Sequence, residues 1–309
     1  MKVSQFDAQA AAGFVTSQTA HVETQVYQIR YADIQYQNLI PVDTTAHPFA
    51  KTVEYYSSDK FGSARWINGN ADDVPLAGTE KTKHSTAVHM AGIGYSHGWE
   101  EIMQAQMLGH NLPADDAMAA RRAYEEHVDG VAMNGDTEKG FEGLLNHSAV
   151  PTVASTNGTW TNKTPDQILQ DINDGLAYVH VTATNTVAMA DTLLLPWSRF
   201  HLISTKRLTD SNETVLSYLR RNNVYTATTG NPLTIRGIRG LDSLGGSGEP
   251  RMVCYRRAPE VLKLHIPMPH RFLTQLAGWD GLSWKVPGVF RLGGLDIRLP
   301  KEVAYIEGI

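Results

Sequence analysis

An α+β fold is predicted for this chain of 309 residues, and three observations predict it. Residues 98–150 carry two consecutive helical signals with their own start and stop. Thr164-Pro165-Asp166-Gln167 then forms a capping box with proline at the first helical position. From there on, helical periodicity alternates with short apolar runs of strand length, among them DTLLLP (191–196) and VLKLHI (261–266). A chain this long makes one large or two moderate domains with ample core.

Taken in order, residues 1–48 read as an arm. Polar and small residues dominate to Gln25, with a short helix near the start. VYQIRYADIQYQNLIPVDT then alternates bulky and polar residues, as extended chain does, until Pro41 breaks it. The arm lacks the apolar mass to fold alone. Residues 49–97 hold two β-favouring stretches, TVEYYSSDKFGSARWI and KTKHSTAVHMAGIGY, around the turn material NADDVPLAGTE. Polar residues stand on both faces of each, so neither strand has a clean inward side. A long two-stranded hairpin is marginal in water unless it lies on something else. Either it is a flap over its own domain or a neighbouring chain covers it.

In the helical unit, Trp99, Ile102, Met103 and Met107 predict a buried face for the first helix. Pro113, Asp115 and Asp116 suit the positive start of the second. Its apolar stripe is Ala117, Ala120, Tyr124, Val128 and Val131, and Asn134-Gly135 is its stop. Arg121–Glu125 and Arg122–Glu126 are i,i+4 pairs worth about 0.3–0.5 kcal/mol each. Such a helix runs roughly 30 Å at about 1.5 Å per residue.

Beyond the capping box, Ile168, Leu169, Ile172, Leu176 and Val179 continue an amphipathic helix. SRFHLIS and SNETVLSYLRR predict two more, the second starting at Ser211, and GLDSLGGSGEP (240–250) reads as a flexible loop. VLKLHI puts Leu262, Leu264 and Ile266 on one face and Lys263 and His265 on the other. Asp280-Gly281 reads as a turn, and LSWKVPGVFRLGGLDIRLP and EVAYIEGI as further strands.

Composition is that of an ordinary globular protein, 42% hydrophobic and 19% charged. No apolar run reaches the roughly 18 residues that a membrane span needs, and the first residues lack a signal-peptide core. The four Asn-x-Ser/Thr matches, at Asn146, Asn157, Asn162 and Asn212, are therefore expected to be chance. Net charge is −5 with scattered basic residues, which argues against tight, specific nucleic-acid binding but not against enclosing DNA. The single Cys254, in apolar MVCY, reads as a buried structural thiol.

Catalytic and cofactor patterns are weak throughout. His84, His89, His97 and Glu100 lack compact metal-ligand spacing and read better as scattered histidines. Gly92, Gly94 and Gly98 misplace the third glycine of a dinucleotide loop, and GGSGEP lacks a phosphate-loop ending. There is no Gly-x-Ser-x-Gly elbow. Glu100-Glu101 and Glu125-Glu126 diverge as neighbours on helices, and Asp72-Asp73 fall at a loop tip. The expectation is a protein that is not an enzyme and holds no metal or cofactor.

The ordered set DIQYQNLIPVD, SHGWEEIMQAQMLG, AARRAYEEHVDGVAMNGD, GFEGLLN, KTPDQILQDIN, DTLLLP, STKRL, RMVCYRRAPEVLKLHIPM and LPKEVAYIEGI resembles the major capsid proteins of tailed phages. These have the Hong Kong 97 fold, which encapsulin shells share. The resemblance covers nearly the whole chain after about residue 20 and lies in the ensemble, since no one stretch is a signature. It implies an N-terminal arm (1–48) and an extended β-hairpin loop (49–97) lying across a neighbouring subunit. It further implies a peripheral domain with a long spine helix (98–150 and 258–298) and an axial domain (151–257 and 299–309).

By the same resemblance, copies form hexamers and pentamers of an icosahedral head that encloses double-stranded DNA, assembled in the host cytoplasm. Tyr55, Tyr56, Phe61 and Trp66 are the candidates for docking on adjacent subunits. Portal and scaffolding proteins, and a decoration protein, are the implied partners; there is no membrane partner. The arm has no room for a large scaffolding domain, so a separate scaffold or none is expected. Lys51, Lys60, Lys81 and Lys83 lie in or near the loop, but no acceptor for a covalent cross-link is identified and none is predicted. An encapsulin-like shell holding a cargo enzyme is the alternative; a soluble metal-dependent hydrolase using the His84–His97 region is the reading from a different class.

Overall fold

The computed structural model describes residues 33–67, 74–108, 112–156, 158–209, 211–279 and 281–309. The helix expected near the chain start lies outside the described residues, as do Asp72, Asp73, Asn157 and Asp280. The chain divides into two units, Met1–Asp33 and Ile34–Ile309, and the architecture is that of the second.

The first elements are α1 (Tyr36–Leu39) and β1 (Val42–Asp43). β2 (Thr52–Phe61) and β3 (Gly78–Ala87) form an antiparallel hairpin, followed by β4 (His89–Gly92), β5 (Tyr95–Gly98), α2 (Trp99–Leu108) and α3 (Leu112–Asn134). Next come β6 (Thr152–Ala154), α4 (Pro165–Ala177), β7 (Thr192–Pro196), α5 (Trp197–Thr205), α6 (Val215–Arg221), α7 (Val224–Thr229), β8 (Thr234–Ile238) and β9 (Arg251–Tyr255). The chain closes with β10 (Leu262–His265), β11 (Met268–Phe272), β12 (Leu276–Ala277), β13 (Ser283–Val286), β14 (Gly288–Leu292), β15 (Leu295–Ile297) and β16 (Val303–Glu307). The predicted α+β class holds.

A mixed sheet runs in the order β6-β16-β9-β7-β8, and its three central strands are buried on both faces. Alternate residues of its strands enter two separate cores, as the period of two requires. Leu193, Leu195, Met252, Cys254, Ala304 and Ile306 pack with α4, α5 and α6. Leu194, Val253, Tyr255, Val303 and Tyr305 face the other way, into the core that contains Tyr124, Val128 and Val131 of α3. Burial on both faces explains why DTLLLP reads as an unbroken apolar run. The two deepest phenols are satisfied: Tyr255 donates to Leu39 O (2.9 Å), and Tyr305 donates to Leu144 O (2.7 Å).

Several helix signals act as the residues suggest. Thr164 and Gln167 make the reciprocal capping box of α4, with Pro165 at its start. α3 ends at Asn134, and Gly135 takes φ +77°, where an added Cβ would sit 2.3 Å from Phe141 O. Lys163, almost fully buried, pairs with Asp171 at 2.5 Å, and Asp171 also accepts from Trp160 Nε1 at 2.8 Å.

Other expectations fail for identifiable reasons. The stretch around Tyr36 is a helical turn where extended chain was expected, because Asp129 on α3 accepts from the Gln35 and Tyr36 amides at 2.9 Å each. Tyr36, Leu39 and Ile40 are core residues. α6 starts at Val215 under a Thr214 cap, and not at Ser211, since Thr214 is held by a bridge to Arg207. α4 stops at Ala177 and passes into a π-helical turn, Tyr178–Ala183. Glu125 accepts from the Tyr36 hydroxyl at 2.7 Å in place of Arg121, whereas Arg122–Glu126 forms at 2.9 Å. His265 is buried, so both faces of β10 are covered. Above all, the expected buried face of α2 is open: Trp99, Met103 and Met107 are exposed, the last at 86%.

Candidate assembly interface

β2 and β3 pair continuously from Thr52↔Ala87 to Phe61↔Gly78. Ten residues at about 3.4 Å each carry the hairpin roughly 34 Å. Beyond Tyr55 every residue of β2 is exposed, and so is every residue of β3 from Thr79 to Ser85. Neither face has a core within the subunit.

The root is fastened from several sides. Val88, buried, donates its amide to Lys51 O at 2.8 Å. Arg291 of β14 donates to Pro48 O (3.1 Å) and Val88 O (3.2 Å). β4 continues from Val88 and pairs with β14 from His89↔Leu292 to Gly92↔Val289. Two of the glycines found by pattern have a steric purpose: a Cβ would lie 2.7 Å from Gly288 O on Gly92 and 2.2 Å from Val286 O on Gly94.

The four candidate docking residues separate into two groups. Tyr55 is half-buried at the root, stacked with His84 (ring centroids 4.7 Å apart) and under the Arg298 guanidinium at 4.5 Å. Burial, and the nearby Asp296 carboxylate, raise its phenol above the ordinary range, opposed by Arg298. Tyr56 is 67% exposed and Trp66 wholly so. Phe61 is exposed, but its ring lies across Gly78, where a Cβ would come within 2.5 Å of it. Ile67, Val74 and Leu76 add to the exposed apolar surface towards the hairpin tip.

A second exposed apolar group was not foreseen. Trp99, Met103 and Met107 of α2 lie open, and Trp99 donates its amide to Leu282 O at 2.8 Å; Leu276, Trp279 and Leu282 are exposed as well. Periodicity signals that such a stripe exists; it carries no information about which chain covers it.

The histidines are dispersed. His84 stacks on Tyr55, His89 meets the Phe141 ring edge-on at 5.5 Å, and buried His97 points Nδ1 at Asp116 from 3.2 Å. Among the described residues no three His, Cys, Asp or Glu side chains gather as a metal site. Cys254 is fully buried, and burial pushes its thiol up to about 12, far from a reactive thiolate. No described helix is long and apolar enough to cross a membrane.

Comparison with known proteins defines the class. The capsid of Myoviridae phage XM1 is similar over 95% of this chain and 98% of that one, with TM-score 0.81 and 19% identity. The capsid of a native GTA particle follows over 98% and 99% (TM-score 0.66, 10% identity), and Mycobacterium phage Bobi over 96% and 97% (TM-score 0.62, 12% identity). No curated protein matches. At these identities the likeness is one of fold, an α+β fold related to the Hong Kong 97 capsid fold. A family model described as major capsid protein matches residues 62–309. The chain therefore belongs to the major capsid proteins.

Proposed function

We propose that copies of this chain form hexamers and pentamers that tile the head of a tailed phage around double-stranded DNA, each hairpin being completed by the next subunit. The observation that carries this is a hairpin of two ten-residue strands, wet on both faces beyond its root, with Tyr56, Phe61 and Trp66 uncovered. Head-to-tail contacts of this kind are heterologous and close into rings. A specific interface needs about 1,000 Å² or more, and a few aromatics often dominate its energy. Trp66 and Tyr56 are the best placed for that role; Tyr55 holds the root and presents less surface.

In this reading residues 1–48 are the arm and 49–97 the extended loop. Residues 98–150 and 258–298 form the peripheral domain, with α3 as spine. Residues 151–257 and 299–309 form the axial domain, which is supported by all five strands of the mixed sheet coming from those two segments. A net charge of −5 leaves packaged DNA mobile, whereas a basic lining would hold it by its phosphates. Portal and scaffolding proteins are the expected partners, with a decoration protein outside, and assembly takes place in the host cytoplasm. Nucleic acid inside purified particles separates this from an encapsulin-like shell holding enzyme.

Deleting residues 58–80 tests the hairpin's part. The shortened chain should keep the circular-dichroism spectrum of the folded lobe and give no stable shells by electron microscopy. Normal shells from it would refute the assignment.

A further inference from the structure

We propose that a buried charge relay couples the arm strand to the hairpin, so that the two extensions are set together and not independently. The relay begins on β1, whose two residues lie parallel to β10 with Asp43 opposite His265. His265 is almost completely buried, and its Nδ1 and Nε2 stand 3.8 Å from the Asp43 carboxylate and 3.5 Å from that of Asp296 on β15. Neither nitrogen makes a well-aligned hydrogen bond. Asp296 also accepts from Arg298 Nε at 3.0 Å. The guanidinium of Arg298 covers Tyr55 on β2, Tyr55 stacks on His84 of β3, and the His84 ring meets the Ser57 hydroxyl at 2.9 Å. Contact is thus continuous from the arm to well inside the hairpin.

The charges around this line come from every neighbouring element. Lys263 of β10 lies 3.3 Å from Asp43, and Thr45 donates its amide (2.9 Å) and hydroxyl (2.6 Å) to the same carboxylate. His147, paired with Glu142 at 3.4 Å, feels Asp296 through space. Burial works to raise both aspartates, yet Thr45 and Lys263 outweigh it at Asp43, and His265 and Arg298 at Asp296, so both carboxyls are held low. Charges in so dry a place interact over longer range than at the surface. Moving Asp43 away with the arm would leave Lys263 without its counter-charge and one side of His265 without its carboxylate neighbour. Asp296 would then be the only carboxylate among the described residues paired with His265, and its hold on Arg298, which covers Tyr55, would change.

The use of the relay in assembly rests on the proposed function; the coupling itself does not, and it is measured on the full-length chain at a dilution where sedimentation shows it dispersed. Hydrogen–deuterium exchange reads three regions. The amides of Leu264 and Ile266, bonded to Pro41 O and Asp43 O at 2.9 Å, report arm docking. Residues 52–57 with 83–88 report the hairpin root, and α4 serves as the control. Asp43→Asn should speed exchange at the root roughly threefold or more with α4 unchanged. Coupling of equilibria is reciprocal, so Tyr55→Leu, at a half-exposed position that threatens folding little, should speed exchange at Leu264 and Ile266. If Asp43→Asn frees only the arm amides, or Tyr55→Leu leaves them at the wild-type rate, the two extensions are independent and the proposal is overturned. Should Asp43→Asn also loosen α4, Tyr55→Leu decides alone.

Discussion

The mixed sheet and the hairpin are both β-structure, yet their side chains obey opposite rules. In β7 all five residues are buried, successive leucines entering cores on either side of the sheet. In β2 and β3 alternation separates one exposed face from another. Each fully buried leucine of β7 contributes about 1.5–3 kcal/mol. The hairpin has backbone pairing and, at its root, the exposed Glu54–Lys83 pair, and such surface pairs add little. The sheet is therefore finished within one subunit and the hairpin is not; under the proposed function a second copy completes it.

That contrast breaks most readily at Lys163. Lys163→Ala leaves the Asp171 carboxylate buried without its ion partner and should cost about 3–5 kcal/mol in denaturant unfolding. A loss under about 1 kcal/mol would mean that the lobe does not close on itself. Tyr305→Phe follows, removing the donor to Leu144 O and the acceptor for the His147 amide (2.9 Å), at about 1–3 kcal/mol. An unchanged unfolding midpoint would show that water satisfies both groups. Acid is the third lever. Asp43 is held at about 2 by Thr45 and Lys263 against the opposing effect of burial, below the ordinary value of about 3.9. A depressed folded value gives stability that is present above about pH 4 and fades as pH falls towards 2. Allowing for solvent screening, the loss is on the order of 1 kcal/mol, and Asp43→Asn should abolish that part of the acid sensitivity.

What the sequence reveals follows the same division. Where one segment suffices, as in the Thr164 capping box, the Gly135 stop or the two-faced burial of β7, composition and spacing carry the answer. Where distant segments decide, they do not. The turn at Tyr36 is capped by Asp129, 93 positions away, and His265 is buried because Asp43 and Asp296 arrive from other strands. At Ser211 and Thr214 two start signals compete, and the bridge from Arg207 selects the later one. The α2 stripe is the sharpest case. Trp99, Met103 and Met107 have helical spacing for a buried face, yet all three are exposed. For the candidate interface, the hairpin and its aromatics were legible, since polar residues on both faces betray a strand without a core; the division between Tyr55 and the others depends on Arg298 and was not.

The smallest stability effect sharpens the comparison furthest. Tyr56→Ser and Trp66→Ser alter side chains that are largely or wholly exposed, so each should shift the unfolding free energy of the dispersed subunit by no more than about 0.5 kcal/mol. Shell yield by electron microscopy should nonetheless fall well below wild type. Tyr55→Ser provides the internal contrast: it removes the ring between Arg298 and His84 and should lower subunit stability measurably. If Tyr56→Ser or Trp66→Ser costs the dispersed subunit as much as Tyr305→Phe, those rings already lie against their own chain. The hairpin would then be finished like the sheet, and nothing in it would require a second copy.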